Sequence, residues 1–340
     1  MSRALAFLNP RTTTENVGDI FIEDSVKRIL VYDAGRSIDV DPRRPWTGSE
    51  VDKINRCDAA VIVGSSLWYR DLRRDGRWTP RLEDLRRIRV PVIPFGVGTS
   101  RRFDEDDGFT VETAEQLRWI HGSCALGSAR DPRTAHALAA AGIANVAMTG
   151  CPTMFRSLAP RWSLRWTDTR RVALTSRAGQ QRNARELLRQ LRSLGLEPVL
   201  AAQKARDRLR RSLWRPREPE PETILGHDIA PYLQLVETAR GAAGWRLHGN
   251  MLHLAHGRPA VFFANNSRVQ SFCEAFGLPC LAAADGQRIP PQRIGEHVRG
   301  LLDPATFARV PQAYDRLRAE MIRFLDANGL EHRLRAGPDD

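Results

Sequence analysis

Arg246 and His248, which lie two residues apart, form the clearest pair of potentially chemical side chains in the sequence. They occur in the stretch WRLHGNMLHLAHGRP, which Gly244 precedes and the apolar segment 260–264, AVFFA, follows. The pattern predicts a strand that turns into a helix at this pair, and open α/β sheets bind ligands at such turns. A helix N-terminus favours anions, and an Arg adds planar donors for a carboxylate or a phosphate. The alternative is a capping turn with a hydrated Arg and a His at the rim of the fold.

A second arginine, Arg130, occurs at a similar predicted junction. The stretch SCALGSARDPRTAHALAAAGIANVAMTG predicts a short strand, a turn over 128–131, a helix over 132–141 and a strand over 145–149. Pro132 suits the first turn of that helix. Arg130 is therefore predicted to lie at a helix start, where it could bind an anionic group.

Small and capping residues follow two other predicted strands. A strand over 3–8 leads into a polar loop, and Gly18 and Asp19 begin the helical pattern after it. Gly18 permits a close backbone approach, and Asp19 could either cap free N–H groups or bind a hydroxyl. The strand over 59–63 ends in three small residues that leave room for a ligand, namely Gly64, Ser65 and Ser66. Strands that alternate with loops and helices in this way predict a parallel sheet with crossover helices.

The length and the apolar content bound the class of protein. A chain of 340 residues exceeds one comfortable core, so we expect two α/β domains. No run approaches eighteen consecutive apolar residues, and the first ten residues lack the pattern of a signal peptide. The five cysteines form no CxxC pair, which favours reduced thiols in a cytoplasmic protein over a disulfide frame or a zinc site.

The chain is strongly basic, with a formal net charge of +12. Lys occurs only at positions 27, 53 and 204, so 49 of the 52 basic residues are Arg. Codon usage in a GC-rich genome is the simpler explanation of the Arg preference. The excess charge could still attract phosphorylated substrates, a membrane surface or nucleic acid.

The periodicity predicts an N-terminal domain over 1–160, a second domain over 171–303 and a C-terminal helix and tail over 304–340. Residues 156–170 lose periodicity and are predicted to form the linker. The basic segment 204–217 could contact an anionic membrane surface if it is helical, although a hydrated helix or a loop is the simpler interpretation. The second half is predicted to contain strands at 171–176 and 196–202 and helices at 180–194, 228–241, 291–302 and 304–327. The stretch 267–279 is predicted to form a further helix that ends at Gly277.

Several of these stretches, taken together, resemble the polysaccharide pyruvyl transferase family. The pieces, in order, are ENVGD (15–19), VIVGSS (61–66), FGVGTS (95–100), GSARDPRTAHAL (127–138), TGCPT (149–153), RLHGNMLHLAHGRPAV (246–261) and NNSRVQSFCEAFGLP (265–279). The resemblance implies an α/β fold similar to GT-B glycosyltransferases, in which two Rossmann-like domains face a cleft. It implies transfer of the enolpyruvyl unit of phosphoenolpyruvate onto two sugar hydroxyls, which gives a cyclic ketal and releases phosphate.

The resemblance also implies roles for individual residues. Arg130 and Arg246 would hold the donor, His248 would act as general acid, and Asp19 would act as the base for the sugar hydroxyl. The N-terminal domain would be the acceptor side and the second domain the donor side. The other expected substrate-binding residues are Asn16, Gly18, Gly64, Ser65, Ser66, Ser128, Asp131, Gly249, Asn250 and Arg268.

Other functions remain open at the level of the sequence. A glycosyltransferase that uses a nucleotide sugar would suit the same Arg and His residues, and a non-catalytic relative that binds anionic ligands is a further alternative. His253 and His256 follow His248, but their spacing does not stack three side chains on one helix face, so no metal is expected. We expect no cofactor, no nucleic-acid partner, and a cytoplasmic location that could include the inner face of the membrane.

Overall fold

The computed structural model describes residues 2–72, 78–99, 103, 105, 108–209 and 219–335. The chain divides into two compact units. Unit 1 comprises residues 1–14, 22–160 and 315–340, and unit 2 comprises residues 15–21 and 161–314. The sequence-based domain ranges 1–160, 171–303 and 304–340 stay a prediction; the compact units differ from them mainly in the placement of residues 15–21 and 315–340.

Unit 1 contains a four-stranded parallel sheet in the order β2-β1-β3-β5. The strand β1 lies between β2 and β3, so the strand order reverses at the β1–β3 pair, where open α/β sheets bind ligands. Two small parallel pairs, β4 with β6 and β7 with β8, complete its strands. From the first strand to the eighth, the elements are β1 (Leu5–Leu8), α1 (Val17–Ile29), β2 (Ile38–Val40), α2 (Gly48–Ile54), β3 (Ala59–Val63), β4 (Ser66–Trp68), α3 (Leu82–Arg86), β5 (Val92–Phe95), β6 (Gly98–Thr99), α4 (Val111–Gly122), β7 (Gly127–Ala129), α5 (Pro132–Ala140) and β8 (Val146–Met148).

Unit 2 contains a six-stranded parallel sheet in the order β11-β10-β9-β12-β13-β14. Counted along the chain within this unit, that order is 3-2-1-4-5-6, the order of a dinucleotide-binding Rossmann sheet, and its switch point lies between β9 and β12. Its elements are β9 (Arg171–Thr175), α6 (Gln181–Ser193), β10 (Glu197–Ala202), β11 (Thr223–Leu225), α7 (Ala230–Thr238), β12 (Ala242–Gly244), α8 (Leu247–Ala255), β13 (Ala260–Ala264), α9 (Ser267–Phe276), β14 (Cys280–Ala282) and α10 (Pro291–Arg299). The last helix, α11 (Val310–Ala327), begins in unit 2 and has most of its residues in unit 1.

The strands are apolar because the sheets are covered by helices. Every residue of β3 and of β13 is buried, as expected for parallel strands with helices on both faces. In unit 2, α6 presents Leu187, Leu188 and Leu191 to the core, where they pack near strand residues of β9 and β10. This covered framework leaves the ends of the strands as the places where polar side chains collect.

The prediction of parallel α/β architecture is confirmed, whereas the last helix begins later than predicted. Residues 304–307 form a 3₁₀ turn, which Asp303 caps by accepting a bond from the Ala305 N–H group. The α-helix begins only at Val310, with Pro311 in its first turn, which suits the fixed φ of proline. Of the basic segment 204–217, only 204–209 lie in the described part of the chain, and Ala205–Asp207 form a 3₁₀ turn there.

Within the described ranges, none of the helices combines the length and the apolar character that a bilayer crossing requires. The longest of them, α11, carries both acidic and basic residues along its eighteen positions.

Two buried histidines, one in each unit, should make the fold sensitive to acid. Burial lowers the pKa of His121 and of His253 to about 4, below the usual value near 6.5. Between those values the unfolded chain binds more protons than the folded chain, so stability is lost as the pH falls from 6.5 towards 4. We expect each histidine to contribute about 3 kcal/mol to that loss, since one pKa unit corresponds to about 1.4 kcal/mol.

Urea unfolding at pH 7 and pH 4.5 tests this expectation. His253→Leu should reduce the difference in unfolding free energy between the two pH values, because the leucine has no proton to gain. The matched control is His136→Leu, which replaces an exposed ring and should leave the difference as it is in the natural chain. An unchanged pH dependence in His253→Leu would contradict the assignment.

Candidate functional site

The turn between β12 and α8 lies at the switch point of the unit 2 sheet. Gly244 ends β12 with φ +143°, and a Cβ there would lie 2.1 Å from the carbonyl oxygen of Thr175 at the end of β9. The Trp245 N–H group donates to that same carbonyl oxygen at 2.8 Å, and the Arg246 N–H group donates to Thr175 Oγ1 at 3.3 Å. Only glycine allows this approach, so Gly244 is required for the start of α8 to lie against the end of β9.

Arg246 is the N-cap residue of α8, and its side chain is held by a buried carboxylate. Its Nη2 group donates to Asp207 Oδ1 at 2.6 Å, and Asp207 is completely buried. Burial lowers the pKa of Arg246, Asp207 opposes that effect, and the charges of Arg177 and Arg206 reinforce it. A guanidinium nevertheless remains charged in proteins. Arg246 Nε has no hydrogen-bond acceptor among the described residues, so one donor of an oriented cation is unused.

His248 lies in the first turn of α8 and is only 3% exposed. The start of α1, which belongs to unit 2, lies beside it: a Cβ at Gly18 would be 3.3 Å from His248 Nδ1. Asn16, from the same short segment, donates to Asp19 Oδ1 at 3.3 Å. The structure thus brings together four of the predicted residues in unit 2, namely Asn16, Gly18, Asp19 and His248.

Asn250 has a structural role through its side-chain hydrogen bonds. Its Oδ1 accepts a hydrogen bond from Thr175 Oγ1 at 2.7 Å, and its Nδ2 donates to the carbonyl groups of Gly244 and Val261 at 2.9 and 3.1 Å. These bonds join Thr175 of β9, Gly244 of β12 and Val261 of β13, and they engage both ends of the amide. The contact of Asn250 with the donor stays a prediction; in the structure its hydrogen-bonding groups serve the sheet.

Two more predicted residues of unit 2 follow the same edge of the sheet. Gly249 provides space, since a Cβ there would lie 2.6 Å from Gln203 Nε2. Arg268 is half-buried in the first turn of α9, directly after β13. His253, further along α8, has Nδ1 3.1 Å from the carbonyl of Gly249 and is a buried part of the helix packing.

In unit 1, Arg130 is buried at the start of α5. Its Nη2 group donates to Ser66 Oγ at 3.1 Å and to the Thr99 carbonyl at 3.3 Å, and its Nε lies 3.5 Å from Asp131 Oδ2. Gly98 permits this position, because a Cβ there would lie 2.2 Å from Nη2. Arg130 Nη1 and Nε have no hydrogen-bond acceptor in the ranges that the structure describes. Arg130 is therefore a second oriented cation with spare donors.

The small residues around Arg130 mainly support the turn. Asp131 Oδ1 caps α5 by accepting bonds from Thr134 N–H and Oγ1, each at 2.9 Å. Ser128 Oγ accepts from the Gly96 N–H group at 2.8 Å and is 2.5 Å from Thr149 Oγ1. The expected ligand contacts through Asp131 and Ser128 are therefore not supported by their hydrogen bonds.

The segment 64–66 packs against neighbouring backbone and contacts Arg130 through Ser66. A Cβ at Gly64 would lie 2.5 Å from the Phe95 carbonyl, and the Ser65 carbonyl accepts a bond from the Gly98 N–H group at 2.8 Å. A ligand contact at Gly64 stays a prediction; in the structure the backbone of Phe95 and Gly96 occupies the space that a Cβ at Gly64 would need. Ser66 presents its side-chain oxygen to Arg130.

Two important residues escaped the sequence analysis, namely Asp207 and Gln203. Both lie in the segment that follows β10, next to the switch point. Asp207 is the single acid in the basic segment, and an isolated acid among bases is a signal of a specific ion pair. Gln203 carried no comparable signal, because a glutamine after a strand is common in loops.

The buried Arg246–Asp207 pair gives a stability test. We expect Asp207→Asn to lower the free energy of unfolding by about 3–5 kcal/mol, because it leaves the Arg246 charge buried without its counterion. Adding Arg246→Met should recover most of that loss, since no unpaired charge remains. Urea unfolding of the two variants provides the measurement.

The matched control is the exposed pair Arg323–Glu320, with a separation of 2.6 Å. Glu320→Gln should change the unfolding free energy by less than about 1 kcal/mol. A loss in Asp207→Asn as small as that in Glu320→Gln would show that the pair is not a significant support for Arg246.

The fold has similar examples among solved structures. The chain is similar to the UDP-GlcNAc 2-epimerase of Methanocaldococcus jannaschii, with 11% identity, 95% of this chain and 99% of that chain covered, and a TM-score of 0.53. It is similar to MnaA of S. aureus with UDP, with 11% identity, 97% and 99% coverage, and a TM-score of 0.52. The UDP-GlcNAc 2-epimerase from Neisseria meningitidis bound to UDP-GlcNAc gives 12% identity, 94% and 98% coverage, and a TM-score of 0.52. At such low identity these likenesses show the fold alone, which is GT-B-like.

The sequence comparison identifies the family. No curated protein sequence matches the chain significantly. The family model described as polysaccharide pyruvyl transferase matches residues 16–267, which is most of the chain and includes both oriented arginines and His248. The chain therefore belongs to the polysaccharide pyruvyl transferase family.

Proposed function

We propose that this protein transfers the pyruvyl group of phosphoenolpyruvate onto two hydroxyls of a sugar, in a cell-surface saccharide or its lipid-linked precursor. The observation that carries the proposal is Arg246, a buried cation oriented by Asp207 with an unused donor at the switch point of the unit 2 sheet. Phosphoenolpyruvate carries a carboxylate and a phosphate, both of which suit a guanidinium. Membership of the family supports the same donor.

The start of α8 adds to the attraction for an anion. The first N–H groups of a helix have no partners within the helix, and the helix dipole places partial positive charge there. In α8 these groups follow Arg246 directly, and the helix has nine residues. Arg177 and Arg206 contribute further positive potential near Arg246. The donor's negative charges would therefore be held by fixed positive groups that need no rearrangement on binding.

His248 is the proposed proton donor. A proton added to C3 of phosphoenolpyruvate leaves an oxocarbenium-like centre at C2, which one sugar hydroxyl attacks with loss of its proton. Departure of phosphate regenerates such a centre, and the second hydroxyl closes the ketal. Over the whole reaction, the two sugar hydroxyls lose two protons. One proton equivalent ends in the new methyl group, and the other leaves with phosphate. A His one residue inside the helix start suits the first step.

Asp19 is the proposed base for the sugar hydroxyl. It lies at the start of α1, beside Asn16 and one residue after Gly18, where a Cβ would lie 3.3 Å from His248 Nδ1. A carboxylate in this position can accept a hydroxyl proton within reach of the same donor. Arg130 and Ser66 of unit 1 form a separate proposed anion-binding group, which mutation can test independently.

Phosphoenolpyruvate is a cytoplasmic metabolite, so the proposal places the reaction in the cytoplasm. It requires no cofactor. Contact of the segment 204–217 with the inner face of the membrane stays a prediction, because residues 210–217 lie outside the described part of the chain.

A glycosyltransferase that uses a nucleotide sugar is the alternative function. Two of the similar structures contain UDP or UDP-GlcNAc, so UDP-GlcNAc is the ligand to compare with phosphoenolpyruvate.

Thermal unfolding with added ligand tests the donor. We expect phosphoenolpyruvate at about 100 times its Kd to stabilise the chain by about 2.7 kcal/mol and to raise the midpoint by several degrees. Arg246→Ala should abolish that shift, whereas Arg323→Ala, which removes an exposed arginine, should retain it. A shift with UDP-GlcNAc and none with phosphoenolpyruvate would replace pyruvyl transfer with chemistry on a nucleotide sugar.

The role of His248 has a kinetic test. His248→Ala should lower the rate of phosphate release from phosphoenolpyruvate, with a panel of oligosaccharide acceptors, by about 10²–10⁴-fold, which is the usual contribution of a positioned general acid. The shift of the unfolding midpoint by phosphoenolpyruvate should persist, because Arg246 remains. His136→Ala is the control. Undiminished phosphate release in His248→Ala would exclude it as the acid.

A further inference from the structure

Gln203 is a buried side chain that no step of the proposed mechanism uses. It follows β10 directly and is 3% exposed. Its backbone carbonyl accepts a hydrogen bond from Val17 N–H at 3.3 Å, which joins the loop after β10 to the start of α1. Its side-chain Nε2 has no hydrogen-bond acceptor among the described residues.

The amide of Gln203 lies between two glycines of the candidate site. A Cβ at Gly18 would be 2.8 Å from Gln203 Oε1, and a Cβ at Gly249 would be 2.6 Å from Gln203 Nε2. The same Gly18 position is 3.3 Å from His248 Nδ1, so the glutamine and the histidine share one neighbour. Substrate binding at Gly18 and Gly249 stays a prediction. In the structure, the two glycines leave the space that the glutamine amide occupies.

A buried N–H group without an acceptor is unfavourable, and its presence beside a site indicates an acceptor supplied by the ligand. Gln203 and Asp207 leave the same short segment after β10, and Asp207 orients the cation that would hold an anionic group. The Gln203 amide lies beside Gly249, the third residue of the helix that Arg246 caps, so it is close to the start of α8. Turning the terminal amide by half a turn would bring its N–H group towards Gly18 and His248.

We propose that Gln203 is a substrate-binding residue, whose amide N–H donates to a carboxylate or phosphate oxygen of the ligand that Arg246 holds. The identity of that ligand as phosphoenolpyruvate rests on the proposed function. The placement of Gln203 depends only on its burial, its unused donor and its two glycine neighbours. The amide would make binding more specific than the charge of Arg246 alone, because its hydrogen bond requires a ligand oxygen in one position.

The test separates a ligand contact from a structural one. Gln203→Leu removes the amide and keeps the approximate volume, so the midpoint of the ligand-free chain should stay the same or rise. The shift with phosphoenolpyruvate should shrink, with a Kd about ten- to a hundredfold higher, as for a hydrogen bond to a charged group. Gly249→Ala, which would displace the amide, should weaken binding in the natural chain and have less effect in Gln203→Leu.

The matched control is Gln116, a glutamine of unit 1 that is 6% exposed and donates from Nε2 to the Pro80 carbonyl at 3.0 Å. Gln116→Leu should lower the midpoint of the ligand-free chain and keep the shift with phosphoenolpyruvate. A full shift in Gln203→Leu, or a ligand-free midpoint lowered as in Gln116→Leu, overturns the inference while the proposed function stands. If only UDP-GlcNAc stabilises the natural chain, the proposed donor is wrong, and the same variants measured with UDP-GlcNAc decide the role of Gln203.

Discussion

The close approach of Gly244 to Thr175 is the contact on which the candidate site of unit 2 depends. Thr175 ends β9 and uses its carbonyl for Trp245, while its hydroxyl contacts the Arg246 N–H group and Asn250. A side chain at position 244 would lie 2.1 Å from the Thr175 carbonyl and would separate the two strands. The position of α8, and hence of Arg246 and His248, follows from the absence of that side chain.

A charge can occupy this covered position only because it has a counterion. Moving a guanidinium out of water is unfavourable by several kcal/mol. Asp207 offsets this desolvation free energy, because it accepts a hydrogen bond of 2.6 Å from Arg246 in an environment of low polarity. The pair does not saturate the guanidinium, whose Nε remains unused by the described residues. Arg130 shows the same combination in unit 1, where a serine hydroxyl and a carbonyl engage one nitrogen and leave others unused.

Periodicity was sufficient to predict the framework from the sequence. The strand over 59–63 was predicted to the residue, and the predicted helix end at Gly277 coincides with a left-handed glycine at φ +63°. These features are local, since a run of apolar residues or a helix-ending glycine determines its own conformation. The late start of α11 was missed because Pro304 and Pro311 both suit a first helical turn, and the 3₁₀ turn at 304–307 uses the earlier one.

The roles of the site residues were harder to predict because they depend on contacts distant in sequence. Asn250 follows Arg246 closely in the sequence, yet its amide joins three strands, and Gly249 makes room for a glutamine 46 positions earlier. Polar residues near a motif divide into those whose donors are satisfied by the sheet and those whose donors are not. Buried donors without acceptors are unfavourable for the fold by themselves, and natural proteins retain such groups where function requires them. By that criterion, the proposed ligand contacts in unit 2 rest on the unused nitrogens of Arg246 and Gln203, and not on proximity to the motif.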